Sequence, residues 1–353
     1  MRNLAFGLGV IVIVLAGVLG ALSWPEDVPS VDAKGESLGP SLQAWLDERH
    51  SQPEPEFNGA VLVVRDGETI VREAWGRDGE GRELTANSQF RLASVSKSFT
   101  AAAILKLVAD EKLALDTPVA DQIEDCAVNA TPAQLMRHIS GIPDDYLDKA
   151  DPEQITTIPM VFDAVCGSSQ SYEAPGEFSY NNTGYVFLAG LVERVSGQSF
   201  EDYLGSELLQ PLGLENTRVW NLVSGDDFAE RAITFNAQGK LAPTNVDGVA
   251  GDGAVFSTVD DLANWTRFWR DDRLLPKALK DRATGRGGED AYHFGWNREG
   301  DLVQHTGGWL GARTYLGFKD TGAEGDVVVI LDNGSSTEVG ELTEEIWTAL
   351  DAQ

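Results

Sequence analysis

Three short motifs, Ser94-Val-Ser-Lys97, Tyr180-Asn-Asn182 and His305-Thr-Gly307, follow one another along the chain, and each pattern occurs once. A serine hydroxyl is a poor nucleophile until a base takes its proton. A lysine one helical turn further on shares a face with that serine and lies within hydrogen-bond reach of it. Its amine can take the proton only where burial or a neighbouring cation lowers its pKa. A phenol such as Tyr180, near a lysine ammonium, exists partly as phenolate and passes protons to a leaving group. The Asn182 amide offers a donor and an acceptor, suited to a substrate carbonyl and to Lys97 together. His305 would add positive charge or a hydrogen bond near the Tyr180 oxygen. Together these parts make up an acyl-transfer site: nucleophile, base, proton shuttle and anion-recognition strand.

Each motif has a plainer reading when taken singly. Ser94 and Lys97 read as a capping serine and a solvated lysine, Asn181 and Asn182 as turn residues, and His305 as the end of a strand. A Ser-x-x-Lys arises by chance about once in a chain of this length, so the weight rests on the three patterns together.

The elements that must position these residues fall into three parts. Residues 41–50 read as a helix capped by Ser41, and 59–76 as a hairpin turning at Asp66-Gly67. The middle, from about 92 to 275, is mainly helical, with helices at 94–111, 131–138, 183–196, 199–207 and 258–270. Strands return at 300–306, 311–318 and 326–332, and a last helix lies near 337–350. Tyr180 then sits on a loop after Pro175-Gly176, just before a helix. His305-Thr306-Gly307-Gly308 closes the strand begun by Leu302 to Gln304. Two glycines weaken a strand unless something must approach its backbone closely, as a substrate lying antiparallel along it would. Strands from both ends of the chain must form one sheet, with the helical middle inserted as a second lobe. The lobes are expected at about 41–110 with 276–353, and at about 111–275.

Charge excludes several partners. With 27 Lys+Arg against 56 Asp+Glu, the net charge of −29 repels phosphate backbones, which excludes nucleic acid, and repels anionic lipid headgroups. Residues 1–23 hold the one strongly apolar stretch, Leu4 to Leu22, behind Arg2 and before Glu26-Asp27. It reads as a signal peptide with a small-x-small site at Ala21-Leu22-Ser23, or as an uncleaved membrane anchor. Either way the rest of the chain is exported, to the periplasm or the cell exterior, behind a tether at 24–40. The two cysteines, Cys126 and Cys166, are a disulfide in an oxidising compartment or two buried thiols. The sequence carries no sign of oligomeric state.

In its motifs the sequence resembles the serine β-lactamases and penicillin-recognising hydrolases, on the branch with class C β-lactamases and related carboxypeptidases and esterases. The resemblance covers nearly all of 41–350. It extends to Leu135-Met-Arg-His-Ile-Ser-Gly-Ile-Pro143, Pro211-Leu-Gly-Leu-Glu-Asn-Thr217 and Gly251-Asp-Gly-Ala-Val-Phe-Ser-Thr258. It implies a β-lactamase-like α/β plus all-α fold: an antiparallel sheet flanked by helices, with an inserted mainly helical lobe. It implies Ser94 as the acylated nucleophile, Lys97 as its proton acceptor or electrostatic partner, and Tyr180 as general base and acid. Asn182 would hold the substrate amide, Thr306 and Gly307 would line the substrate strand, and the backbone N–H groups of Ser94 and Gly308 would form the oxyanion hole. His138 and Ser140 match a structural stretch and are given no chemistry. One departure bears on substrate. β-Lactamases of this branch usually carry Lys where His305 stands, while His-Thr-Gly is more common among the carboxypeptidase, aminopeptidase and esterase relatives. Loss of a permanent cation weakens recognition of a substrate carboxylate, which makes antibiotic hydrolysis secondary.

Other hydrolase classes lack their motifs. There is no Gly-x-Ser-x-Gly and no His-Glu-x-x-His, and the four histidines are scattered. No metal or organic cofactor is implied. The reading is a serine hydrolase acting on a small amide or ester: a D-amino-acid peptide such as a peptidoglycan fragment, a short ester or a β-lactam. A membrane-tethered penicillin- or peptidoglycan-binding sensor without turnover is the alternative.

Overall fold

The computed structural model describes residues 38–51, 57–168, 176–225, 227–322, 324–334 and 339–352. The apolar segment 4–22, the tether up to residue 37 and Pro175 lie outside them.

The framework is one antiparallel sheet drawn from both ends of the chain. Its strands are β1 (Gly59–Arg65), β2 (Glu68–Ala74), β3 (Asn297–Glu299), β4 (Leu302–Trp309), β5 (Ala312–Lys319) and β6 (Val327–Asp332), in the spatial order β2-β1-β6-β5-β4-β3. Asp66 and Gly67, at φ +49° and +79°, make the tight β1–β2 turn expected of an Asp-Gly pair. Apolar residues run unbroken through 60–64 and 327–331 because both faces of the sheet are covered. Val61, Val63, Val328 and Ile330 pack under two helices, α1 (Leu38–His50) and the helix at the end of the chain, α6 (Val339–Asp351). Ala60, Leu62, Val64, Val327, Val329 and Leu331 face the main core on the other side.

That core is built around α2 (Lys97–Ala109), which follows a single 3-10 turn at Ala93–Ser96. On one side, α5 (Val259–Arg270) stacks Trp265 on Phe99, with ring centroids 4.0 Å apart, and the indole N–H donates to Ser98 Oγ at 2.9 Å. On the other lies α4 (Asn182–Ser196), itself packed on α3 (Ile158–Cys166). A small sheet of Phe90–Arg91, Val255–Ser257 and Arg218–Val219 joins the segment before Ser94 to the one before α5.

Several expectations change. The first helix begins at Leu38, not at a Ser41 cap, because Leu38, Leu42 and Leu46 are buried at helical spacing against the sheet. The helical lobe does not run to 275, since α5 lies against β1, β5 and β6. The strand expected at 300–306 runs on to Trp309; β5 pairs with it from Leu302↔Lys319 to Trp309↔Ala312, so Gly307 and Gly308 also lie inside the strand. The helix α3 was not anticipated at all. Cys126 and Cys166 form a disulfide across a sequence separation of 40, tying the end of α3 to the loop before Thr131. Among the described residues no helix is long and apolar enough to cross a membrane.

Candidate active site

Ser94 is presented by a pinned, strained turn. Leu92 N donates to Val255 O at 2.9 Å, and Thr314 Oγ1 donates to Leu92 O at 2.8 Å. Ala93 sits at φ +47°, a left-handed conformation that costs a residue with a Cβ about 1–2 kcal/mol. Ser96 Oγ then accepts from Val255 N at 3.2 Å. The result leaves Ser94 partly exposed among buried neighbours, at the entrance to α2.

Lys97 is wholly buried, and its Nζ meets three oxygens: Ser94 Oγ at 3.1 Å, Asn182 Oδ1 at 2.8 Å and the Asp252 carbonyl at 2.9 Å. The last two are pure acceptors and fix two N–H bonds, which turns the third tetrahedral position of Nζ toward the serine. Thr100, one turn along α2, donates to Gly251 O at 2.7 Å and so holds the Asp252 carbonyl in place. The ammonium lies 4.9 Å from the centroid of the Tyr180 ring, within cation–π range.

Asn182 opens α4. Asn181 caps the helix by accepting from Gly184 N at 2.6 Å, and its own amide donates to Ile142 O. The Asp144 carboxylate adds a second cap, accepting from Asn182 N and Thr183 N, each at 2.8 Å. Asn182 Nδ2 leans toward the same carboxylate at 3.4 Å, which sets the amide with its oxygen on Lys97.

The strand β4 passes directly behind Ser94. A Cβ on Gly307 would fall 2.3 Å from Leu92 O and 3.1 Å from Ser94 N, so only glycine permits this approach. Gly308 has room, with its nearest neighbour, Arg313, at 3.8 Å from such a Cβ. Thr306 and Gly308 are exposed, on the face of β4 opposite His305 and Gly307. The outer neighbour β3 pairs only with Leu302–Gln304, so among the described residues the edge from His305 to Trp309 has no strand partner on that side.

Of the two contributions expected of His305, positive charge or a hydrogen bond, its surroundings disfavour the charge. It is buried; Nδ1 lies 2.5 Å from Thr306 O and Nε2 lies 2.9 Å from the Tyr292 hydroxyl. A carbonyl only accepts, so Nδ1 carries the proton and Tyr292 donates to Nε2. Burial, reinforced by the charge of Lys97, lowers its pKa to about 3. His305 is therefore a neutral imidazole and supplies no cation near neutral pH. His138, given no chemistry from the sequence, packs its ring 4.3 Å from that of Tyr180. Burial, with Lys97 and His305 adding to it, holds it well below the ordinary histidine range, so it too is neutral.

A sequence model of the Beta-lactamase family matches residues 49–350. Penicillin-binding protein 4* of Bacillus subtilis (strain 168) is 31% identical over 308 residues, 78% of this chain and 67% of that protein. The chain belongs to the beta-lactamase family. With that family model and penicillin-binding protein 4* behind it, the chain is a beta-lactamase-related serine hydrolase. Two solved structures share the fold. A penicillin binding protein from Bacillus halodurans superposes with a TM-score of 0.72 at 24% identity, covering 88% of this chain and 98% of its own. The D-amino acid amidase from Ochrobactrum anthropi SV3 complexed with L-phenylalanine amide gives 0.70 at 21%, covering 89% and 98%. The chain spans about two thirds of the length of the curated relatives it matches.

Within this beta-lactamase-family site, sequence reasoning missed Asp144, Tyr292 and Asp252. Asp252 carries the carbonyl that holds Lys97, and its side chain accepts from the Tyr146 hydroxyl at 2.8 Å. Burial raises the Asp252 carboxyl, against the opposing charge of Lys97. Among the described residues no cluster of His, Cys, Asp and Glu is arranged to hold a metal ion.

Proposed function

We propose that this hydrolase cleaves a small amide or ester through an acyl-enzyme intermediate on Ser94. The observation that carries the reading is the environment of Lys97 Nζ, which spends two bonds on Asn182 and Asp252 and directs the third at Ser94 Oγ. As an ammonium it donates there and stabilises the forming alkoxide; as an amine it receives the hydroxyl proton.

In the first step Ser94 Oγ bonds to the substrate carbonyl carbon, and its proton passes through Lys97 and Tyr180 to the leaving nitrogen or oxygen. That bond then breaks and the acyl group stays on Ser94. In the second step Tyr180 takes a proton from water, the water oxygen attacks the acyl carbon, and the Ser94 hydroxyl is restored as the acid leaves. The backbone N–H groups of Ser94 and Gly308 bind the oxyanion; one such donor is worth about 3 kcal/mol. Asn182 keeps one Nδ2 hydrogen for the substrate carbonyl beyond the one near Asp144. The free edge of β4, with Thr306 and Gly307, takes the substrate backbone as an added strand.

The scissile bond is that of a D-amino-acid peptide or a short ester, with β-lactams secondary because a neutral His305 gives no cation to their carboxylate. The names of the relatives, penicillin-binding proteins and D-amino acid amidase, support that range. The enzyme works outside the cytoplasm, behind the apolar segment 1–23, and the Cys126–Cys166 bond supports an oxidising compartment. The test is a panel of p-nitrophenyl acetate and butyrate, nitrocefin and D-Ala-D-Ala peptides on wild type and Ser94→Ala. Turnover is expected for the ester or peptide and only with Ser94 present. Turnover that survives in Ser94→Ala removes the assigned nucleophile. Labelling by a fluorescent penicillin with no turnover of any substrate makes the protein a sensor.

A further inference from the structure

We propose that Asp247, far from all three motifs in sequence, is a positioning residue that sets the distance between the two oxyanion donors. The inference rests on the assignment of Ser94 N and Gly308 N above. Those donors belong to different pieces of the fold. Ser94 follows the strand Phe90–Arg91, which pairs with Val255–Ser257, while Gly308 lies near the end of β4, which pairs with β5. A hole made from two such pieces needs something to hold its rims in register.

The Asp247 carboxylate joins them. Arg91, three residues before Ser94, donates Nη2 to Oδ1 at 2.6 Å. Trp309, the residue after Gly308, donates its indole N–H to the same Oδ1 at 2.9 Å. Oδ2 accepts from Thr244 N at 2.6 Å and Thr244 Oγ1 at 3.0 Å. The Asp247 carbonyl accepts from Leu222 N at 2.9 Å, which ties in the 220–224 loop. With both oxygens occupied, and the residue only 2% exposed, the carboxylate has no freedom to turn. Burial pushes the carboxyl up, but Arg91 and the donors outweigh it, so it titrates below its ordinary range and stays ionised.

The backbone on both rims argues for a restraint of this kind. Ala93, just before Ser94, lies at φ +47°, and Leu310, just after Trp309, lies at φ +42°. Neither residue favours that conformation, and both would relax if their segments were free. Asp247 grips the chain next to each of them. A carboxylate shared by an arginine on one rim and an indole on the other converts two strained segments into one rigid frame.

The decisive variant is Trp309→Phe, which removes one donor to Asp247 and leaves the Arg91 ion pair and an aromatic ring in place. With the p-nitrophenyl ester that wild type turns over, kcat should fall about tenfold to a hundredfold with KM within about twofold. Affinity for phenylboronic acid, whose tetrahedral adduct on Ser94 places an oxygen in the hole, should fall by a similar factor. The thermal midpoint should barely move. Asp247→Asn should act in the same direction and more strongly, but it strands Arg91 and costs folding stability. If it does not fold, Trp309→Phe decides alone. Wild-type kcat and boronate affinity in Trp309→Phe overturn the proposal, as does a loss that appears only as a lowered unfolding temperature. Failure of the underlying reading looks different: Ser94→Ala would still turn over ester, or wild type would not bind the boronate.

Discussion

Gly307 and Ser94 approach so closely that a Cβ on the glycine would lie 3.1 Å from the serine nitrogen. The strand bearing His305-Thr-Gly forms the back wall of the turn that carries Ser94, and the wall has no space for one more carbon. Gly307→Ala should push β4 outward and lower kcat/KM by about a hundredfold or more, a displacement effect on the hole. Gly308→Ala meets nothing nearer than 3.8 Å and should cost far less folding stability. Urea unfolding of both variants, beside ester kinetics, checks the contrast.

Lys97 has no solvent route to a substitute for its three bonds. Lys97→Met, similar in length and apolar, should fold and lose about 10²- to 10⁴-fold in kcat, the range for a proton-transfer group. Lys97→Arg should not restore activity, because a planar fork cannot match three acceptors placed around one nitrogen. Steady-state ester hydrolysis measures both.

Stability should fall with acid through the two buried histidines. Unfolded, His305 takes a proton near pH 6.5; folded, not until about 3. Between those values the unfolded chain binds more protons, so lowering the pH pulls toward unfolding. The stabilisation is complete above about pH 6.5 and is lost as the pH falls toward 3, on the order of 5 kcal/mol at full extent. His138 shifts in the same direction and adds to the slope. Thermal midpoints from pH 7 to 4 should drop steeply in wild type and less in His305→Asn. An unchanged slope in that variant would refute the buried neutral imidazole.

The Cys126–Cys166 bond closes a loop of about 40 residues, worth up to about 4 kcal/mol in the chain-entropy model. The double variant Cys126→Ser/Cys166→Ser should unfold at lower denaturant while keeping its kcat at temperatures where it is folded.

Asp144→Ala removes a helix cap and the partner that orients the Asn182 amide. Stability should fall by about 1 kcal/mol, the usual worth of a cap. The kcat should fall several-fold, and Asp144→Asn, which can still accept, should recover most of it.

Ser94, Lys97 and Asn182 were legible from sequence because helical geometry and one shared ammonium leave little freedom in where they meet. Tyr180 was placed by the same motif, and its ring stands beside Lys97. The charge of His305 was not legible. It depends on burial beside Lys97 and on the Tyr292 hydroxyl, and neither burial nor a partner from another segment shows in a tripeptide. Asp247 and Asp144 were hidden for the same reason, being two acidic residues among 56 until their partners are known. The missed helix α3 is a different case. Ile158, Val161, Phe162 and Val165 recur at helical spacing behind a Thr157 cap, so its signal was present in the chain. The strand expected at 300–306 stopped short of Trp309 because two glycines weaken a strand, when one of them is the condition for β4 to pass Ser94.

The unpaired rim of β4 has a consequence for what this enzyme selects. A ligand that docks there is recognised through its main-chain amides, which are alike in every peptide and absent from simple esters. On the proposed mechanism, discrimination among peptides then comes from the loops that flank the cleft, while short esters would gain nothing from the rim and depend on the proposed oxyanion donors alone. Lengthening a peptide by one residue along β4 should therefore raise its turnover whatever side chain is added.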